Sequence, residues 1–305
     1  MRRVALAGVV ANAGIIVTGA GVRLSKSGLG CPDWPRCTAG SLVATHVAGQ
    51  AAANTWIEFG NRTLTAVLMI VAVLVFVAAW RFRPAGRNRD GQVWLAAVQP
   101  AGVVAQALLG GLLIATRLNP ATVSVHFLAS CAVVAAAVVL HVRCAEDQAP
   151  PQLPVRADLR LLSGVLVAVV GLMLAAGTVV TGTGPLAGNA AAPRYHLPLG
   201  GVTQLHADIG WLMAGLTVAL MAGLRLTGAP PRVVRRGWIL IATMGVQGTV
   251  GYIQYFTHLP AGLVGVHVFG SVLVWIAVLR LYLCLHDRRP LTGMAIEVTP
   301  EAAAR

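Results

Sequence analysis

Residues 261–285 read Ala261-Gly-Leu-Val-Gly-Val-His267-Val-Phe-Gly-Ser271-Val-Leu-Val-Trp-Ile-Ala-Val-Leu-Arg280-Leu-Tyr-Leu-Cys-Leu285, and Arg280 is their only charged side chain. A run of this length and character is what a helix needs to cross the ~30 Å hydrocarbon core of a bilayer, where about 20 apolar residues suffice. Seven more such runs lie upstream, at 4–22, 61–80, 93–115, 121–142, 161–182, 203–224 and 237–257. The whole chain of 305 residues is 57% hydrophobic and 11% charged, with a mean hydropathy of +0.75. A soluble domain carries roughly a quarter charged residues. The pattern predicts an all-α membrane protein of eight transmembrane helices.

The net charge of +13 raises the question of nucleic acid, and the positions of the charges answer it. With alternating connections, 17 of the 23 basic residues fall on one side, among them Arg2, Arg3, Arg143, Arg235 and Arg289. The other side holds Arg23, Lys26, Arg36, Arg62, Arg117 and Arg194. Basic residues mark the cytoplasmic side, so both termini are expected there and no nucleic-acid partner is required. Arg2 and Arg3 before an apolar run resemble a signal peptide, but the first span has a counterpart later in the chain. With no Arg- and Ser-rich presequence ahead of it, the expected location is a bacterial plasma membrane, with lipid as the surrounding partner.

The chain also repeats. Gln106, Gly110, His126 and Ser130 recur as Gln247, Gly251, His267 and Ser271, all at an offset of 141, and Val17-Thr18-Gly19-Ala20-Gly21 is echoed by Val180-Thr181-Gly182-Thr183-Gly184. Two pseudo-symmetric four-helix bundles follow, sharing one orientation because each has an even number of spans. The expected boundaries are 1–143 for the N-terminal half, 144–160 for a cytoplasmic linker with Pro150, Pro151 and Pro154, 161–290 for the C-terminal half, and 291–305 for a polar tail. Two long outer loops, 23–57 and 183–202, are expected to roof the outer ends of the even spans, and loops of such length tend to be functional.

Three of the eight histidines, His126, His206 and His267, fall inside apolar spans near their outer ends. An ionisable group inside a span usually faces the bundle interior. A single one is accounted for by a hydrogen bond between helices. Three at matched depth on spans 4, 6 and 8 point further, because imidazole is the commonest nitrogen ligand of heme iron. His206 and His267 form a pair able to offer two axial ligands within one half. The other half offers His126 opposite Asn61, and an amide is a poor iron ligand. Glu58 sits three residues before Asn61 on one helix face, and its repeat counterpart is the uncharged Thr203. Glu58 therefore reads either as a residue with a task confined to one half or as an interfacial acid paired with Arg62. Arg62 is itself a candidate for a heme propionate, since guanidinium binds carboxylates bidentately. Asp208, two residues from His206, points away from that face and suits a hydrogen bond rather than ligation.

Cys31 and Cys37 flank five residues with two prolines in the first outer loop. On an oxidising face such a pair reads as a disulfide; zinc is the weaker alternative, with two thiolates and no histidine between them. Cys131, Cys144 and Cys284 read as reduced residues in the membrane or near the cytoplasm, and His141, His196, His258 and His286 as solvent-facing side chains.

These phrases together resemble bacterial heme A synthase. The resemblance is carried by Gly28-Leu29-Gly30-Cys31-Pro32-Asp33-Trp34-Pro35, Glu58-Phe59-Gly60-Asn61-Arg62, Leu118-Asn119-Pro120-Ala121 leading to His126, Thr181-Gly182-Thr183-Gly184-Pro185, Leu205-His206-Ala207-Asp208 and His267, spread over both halves. It implies an oxidoreductase that converts the C8 methyl of heme O to the formyl of heme A for terminal oxidases. It further implies a resident heme b on His206 and His267, and a substrate heme ligated by His126 with Asn61 and Arg62 in its pocket. Glu58 would stand beside the reacting methyl, the iron would be metal cofactor and substrate centre alike, and Cys31–Cys37 would be the family's outer-loop disulfide. Heme O synthase and terminal oxidase assembly factors are the implied partners. Many members carry histidine where this chain has Asn61, so the sixth site of the substrate iron is expected to be open or differently filled. A diheme electron-transfer cytochrome and a heme transporter or chaperone are the competing functions; the first would need a second histidine pair, which Asn61 breaks.

Overall fold

The computed structural model describes residues 1–45, 51–81, 89–146 and 153–286. The middle of the expected linker, the polar tail and the arginines at 83, 87, 288, 289 and 305 lie outside these residues. The described chain forms eight helices: α1 (Arg2–Leu24), α2 (Ala52–Arg81), α3 (Arg89–Ala115), α4 (Pro120–Arg143), α5 (Ala157–Thr183), α6 (Leu199–Leu226), α7 (Pro231–Phe256) and α8 (Ala261–Leu285). Seven are long and apolar enough to cross a membrane, which makes this a multi-pass membrane protein. Helices suit that solvent because all their backbone hydrogen bonds close within the segment.

α7 is the helix that composition leaves out. Arg232, Arg235 and Arg236 crowd its start, and Thr243, Gln247, Thr249 and Gln254 interrupt its apolar run. Its polar groups are used internally: Gln247 Nε2 donates to the His267 carbonyl at 2.8 Å, and Trp211 Nε1 of α6 donates to Tyr252 Oη at 3.1 Å. Packed between α6 and α8, it borrows its place from its neighbours.

α1 contacts α2, α2 contacts α3, α3 contacts α4, and α4 returns to α1; α5 through α8 close a second ring the same way. The rings meet along a seam of α1, α4, α5 and α8. Val134, Ala137 and Val138 of α4 and Val274, Ala277 and Val278 of α8 belong to one buried cluster there, and Trp275 Nε1 donates to the Cys131 carbonyl across it at 2.9 Å. Lipid tails are as apolar as leucine, so these faces hold by close packing and hydrogen bonds rather than by escape from water. Inside the first ring, Asn12 Nδ2 donates to Gln99 Oε1 at 3.0 Å, both side chains buried.

Helix ends carry the expected signals. Asn119 caps α4, its side chain accepting from the Ala121 N–H at 2.9 Å, with Pro120 in the first turn, where a missing N–H costs nothing. α2 begins nine residues before the apolar run at 61 suggested. Its first turns are polar, but Ser27 Oγ donates to Asn54 Oδ1 at 3.2 Å and the first long loop satisfies Glu58 and Arg62, so the helix continues through them. The two long loops lie at the same end of the bundle and meet: Gly28 N–H donates to the Gly188 carbonyl at 3.1 Å. Gly188 has φ +100 and Leu118 close by, a conformation that favours glycine.

Candidate functional site

Two clusters of the residues singled out from sequence form at the loop end. In the second ring, His206 of α6 and His267 of α8 face each other with ring centroids 6.4 Å apart and planes at 65°. Two imidazoles on opposite sides of one metal, at about 2 Å per metal–nitrogen bond, have centroids about 6 Å apart. Each ring lies over a glycine: a Cβ added at Gly177 of α5 would stand 3.1 Å from His206 Cε1, and one at Gly251 of α7 would stand 3.1 Å from His267 Cε1. Both Nδ1 atoms are buried and close no hydrogen bond. The carbonyls of Met173 and Gln247, each one turn before its glycine, approach the two rings. A small rotation would let Nδ1–H donate there and leave Nε2 for a metal, the usual way a ligating imidazole is oriented. Donor set, spacing and clearance all fit a bis-histidine heme.

In the first ring, His126 of α4 reproduces part of this setting. Gln106 Nε2 donates to its carbonyl at 3.2 Å, as Gln247 does for His267, and its Nδ1 is likewise buried without a partner. Asn61 is held from α1, with Thr18 Oγ1 donating to its Oδ1 at 2.8 Å. Among the described residues no hydrogen bond joins His126 to Asn61 or Glu58. One imidazole here, against two in the second ring, fits a heme with one protein ligand.

The second cluster is a clasp. Cys31 and Cys37 form a disulfide, with both residues almost wholly buried. Glu58, 6% exposed, accepts at Oε2 from the Cys31 N–H at 2.9 Å and at Oε1 from Arg62 Nη2 at 2.7 Å. Arg62 Nη2 also donates to the Cys31 carbonyl, and Nη1 to the carbonyls of Asp33 and Arg36, all at 2.9 Å. The interfacial pairing of Glu58 with Arg62 is therefore present, and it has a purpose: α2 grips the disulfide loop by both backbone polarities. Four of the five guanidinium N–H groups are taken, which leaves Arg62 only Nε–H for any further acceptor. Trp34 of the same loop lies against Gly111 of α3, where any Cβ would strike its indole. Pro32, Asp33, Trp34, Leu108, Gly111 and Leu112 help line an open surface groove of about 510 Å³ where the loop meets α3.

Asp208 takes the hydrogen bond expected of it, accepting from Gln204 Nε2 at 2.7 Å. Sequence reasoning singled out neither Thr18 nor Gly177; Gly251 was visible as the repeat partner of Gly110, but nothing along the chain tied it to a histidine ring.

The fold and the facing histidines define a multi-pass helical membrane protein with the donor set of a heme protein. Residues 2–279 match the model of the cytochrome oxidase assembly protein family, and the chain belongs to that family, that of heme A synthase. Over 106 residues it is 31% identical to the heme A synthase of Geobacillus thermodenitrificans, covering 34% of this chain and 30% of that protein. Over 119 residues it is 31% identical to the heme A synthase of Geobacillus kaustophilus (strain HTA426), covering 38% of this chain and 34% of that one. The matched segments thus span about a third of each relative's length.

Proposed function

We propose that this protein oxidises the C8 methyl of heme O to the formyl group of heme A, in a bacterial plasma membrane, with both termini cytoplasmic and the long loops outside. In this reading all eight helices span the bilayer and residues 1–143 and 161–290 are pseudo-symmetric halves, joined by the linker and followed by the tail. The second half holds a resident heme b and the first receives the substrate. The observation that carries the proposal is the asymmetry, among the described residues, at the loop end of the two rings: facing imidazoles in one, and in the other a single imidazole, an amide and a buried carboxylate.

His206 and His267 bind the iron of the resident heme, which supplies one-electron redox chemistry when bound. His126 would hold the iron of the substrate, with Asn61, a poor iron ligand, in the same pocket. Turning a methyl into a formyl group exchanges two hydrogens for one oxygen; written with water as the oxygen source, four electrons pass to an acceptor outside the chain and four protons are released, so protons must leave the carbon. Glu58 is the group assigned to accept one: of the roughly four lone-pair directions of a carboxylate, Cys31 and Arg62 take two, and the Gly30 N–H approaches as well. Arg62 and the Cys31 N–H hold the carboxylate in place, and a positioned base of this kind contributes about 10²–10⁴ in rate.

The test is heme extraction and chromatography from cells making the Glu58→Gln protein. The variant should insert, keep its heme b spectrum and accumulate heme O or a partly oxidised product. Wild-type amounts of heme A would end the catalytic role and leave Glu58 as part of the loop clasp.

A further inference from the structure

At the loop end of the seam, two half-buried arginines each keep one buried guanidinium nitrogen with hydrogen-bonding capacity left over. Arg23, the last basic residue of α1, donates through Nη2 to the Thr181 carbonyl of α5 at 3.0 Å. Arg194, in the loop after α5, donates through Nη2 to the Pro185 carbonyl at 3.1 Å. Both thus converge on the end of α5, where cations are favoured by the helix dipole. That accounts for one N–H on each. It does not account for Arg23 Nε or Arg194 Nη1, which are buried and meet no acceptor.

No carboxylate is at hand to take them. Among the described residues neither arginine forms an ion pair. Glu58 is engaged by Cys31 and Arg62, and Asp208 accepts from Gln204. Buried charged donors without acceptors are expensive, and two of them at one place call for an anion from outside the chain. The position says which anion. Thr181 stands one turn beyond Gly177 on the same face of α5, and Gly177 is the residue over which the His206 ring lies. The arginines are therefore one helical turn nearer the loop end than the histidine pair, on the side where water begins.

We propose that Arg23 and Arg194 receive the carboxylates of a heme ligated by His206 and His267, so that a site in the second ring is completed by a side chain from the first. This rests on the bis-histidine reading above. Ligand histidines close to the loop end leave the acidic edge of the macrocycle a short path to the interface and a long one through hydrocarbon, where charge is costly. A lipid phosphate would satisfy the same donors, and the experiment separates the two.

Full-length wild type, Arg23→Gln, Arg194→Gln, the double variant and Arg23→Lys are purified into nanodiscs containing phosphatidylglycerol. Heme content, the low-spin spectrum, the midpoint potential, heme loss to apomyoglobin and retained phospholipid phosphorus are measured. The glutamine variants should keep the low-spin spectrum, since both histidines remain. Their midpoint potential should fall, because removing a nearby positive charge favours the ferric state, and the double variant should lose heme at least tenfold faster. Arg23→Lys keeps the charge and loses the Nε–H, so it should hold the potential and still release heme faster; it carries the test if the double variant does not insert. Unchanged potential and heme loss in protein that retains its heme would overturn the inference while leaving the histidine ligation intact. Unchanged heme properties with loss of bound phosphorus would reassign the arginines to lipid. A His206→Ala, His267→Ala double variant, purified alongside, that keeps the low-spin heme of wild type would remove the bis-histidine reading, and this inference with it.

Discussion

Replacing Arg62 with leucine should release the disulfide loop from α2. This guanidinium donates four hydrogen bonds: three to loop carbonyls and one to the Glu58 carboxylate. A hydrogen bond to a charged group contributes about 1.5–3 kcal/mol. The Arg62 side chain is 23% exposed, so water can replace part of what the carbonyls lose. Glu58 cannot be compensated so easily, because only 8% of its side chain is exposed and it would be left as a buried charge, a loss of about 3–5 kcal/mol for fully buried pairs. Taking the lower end, about 3 kcal/mol, and a factor of ten per ~1.4 kcal/mol, the open loop becomes about 100-fold more populated. Cys31 and Cys37 are 0% and 1% exposed, so a water-soluble phosphine reaches the disulfide only through that opening. Reduction of Cys31–Cys37 should therefore run about 100-fold faster in Arg62→Leu than in wild type. Arg62→Lys, with a point charge and fewer donors in place of the fork, should fall between. Rates within threefold of wild type in Arg62→Leu would refute the clasp.

Alanine at His206 or His267 should abolish or shift the low-spin heme signal, and an unchanged absorption spectrum in both variants would rule out the ligand pair. Valine at Gly177 or Gly251 puts a side chain where an imidazole edge now lies; purified protein should show a perturbed spectrum or lowered heme content, against normal spectra for valine at Gly215, which has no close neighbour. Thiol labelling of intact, unreduced cells should miss both Cys31 and Cys37 and find them after reduction with an impermeant phosphine. Labelling before reduction, or none after it, would contradict the disulfide or its outward placement. Asn61→His should add a second nitrogen ligand and move the substrate heme toward six-coordinate low spin, read by electron paramagnetic resonance.

Helices were legible in the sequence because hydrocarbon imposes one rule on every span, and seven of them pass by length and apolarity. The two departures share a cause. α2 starts early and α7 is too polar for its place because side chains such as Asn54, Glu58, Arg62 and Gln247 are satisfied by distant partners, and a window along one helix sees only the polarity. The disulfide was legible from two cysteines, two prolines and a loop, and so was the placement of His126, His206 and His267 on helices; His141, expected to face solvent, is instead buried beside the Arg2 carbonyl, 3.3 Å from its Nδ1. What Arg62 grips was not, because its acceptors are backbone carbonyls, which leave no trace in residue identity. Arg23 and Arg194 were visible as charges that help set orientation, but their convergence on the end of α5 depends on the tertiary fold, in which Arg23 also lies against Gly188 of the second long loop. The clearance at Gly177 is likewise a property of two helices crossing, invisible in either one.

The Trp275–Cys131 bond has a bearing on how the protein is made. Synthesis runs from the N-terminus, so α4 is in the bilayer before α8 exists, and the Cys131 carbonyl must wait for its indole. That carbonyl is already bonded within its own helix, and the valines and alanine around it are as comfortable against acyl chains as against protein. The seam faces of the first four helices can thus rest against lipid until the second four arrive. Closure of the seam, late and guided by one indole, would then be the step at which biogenesis commits.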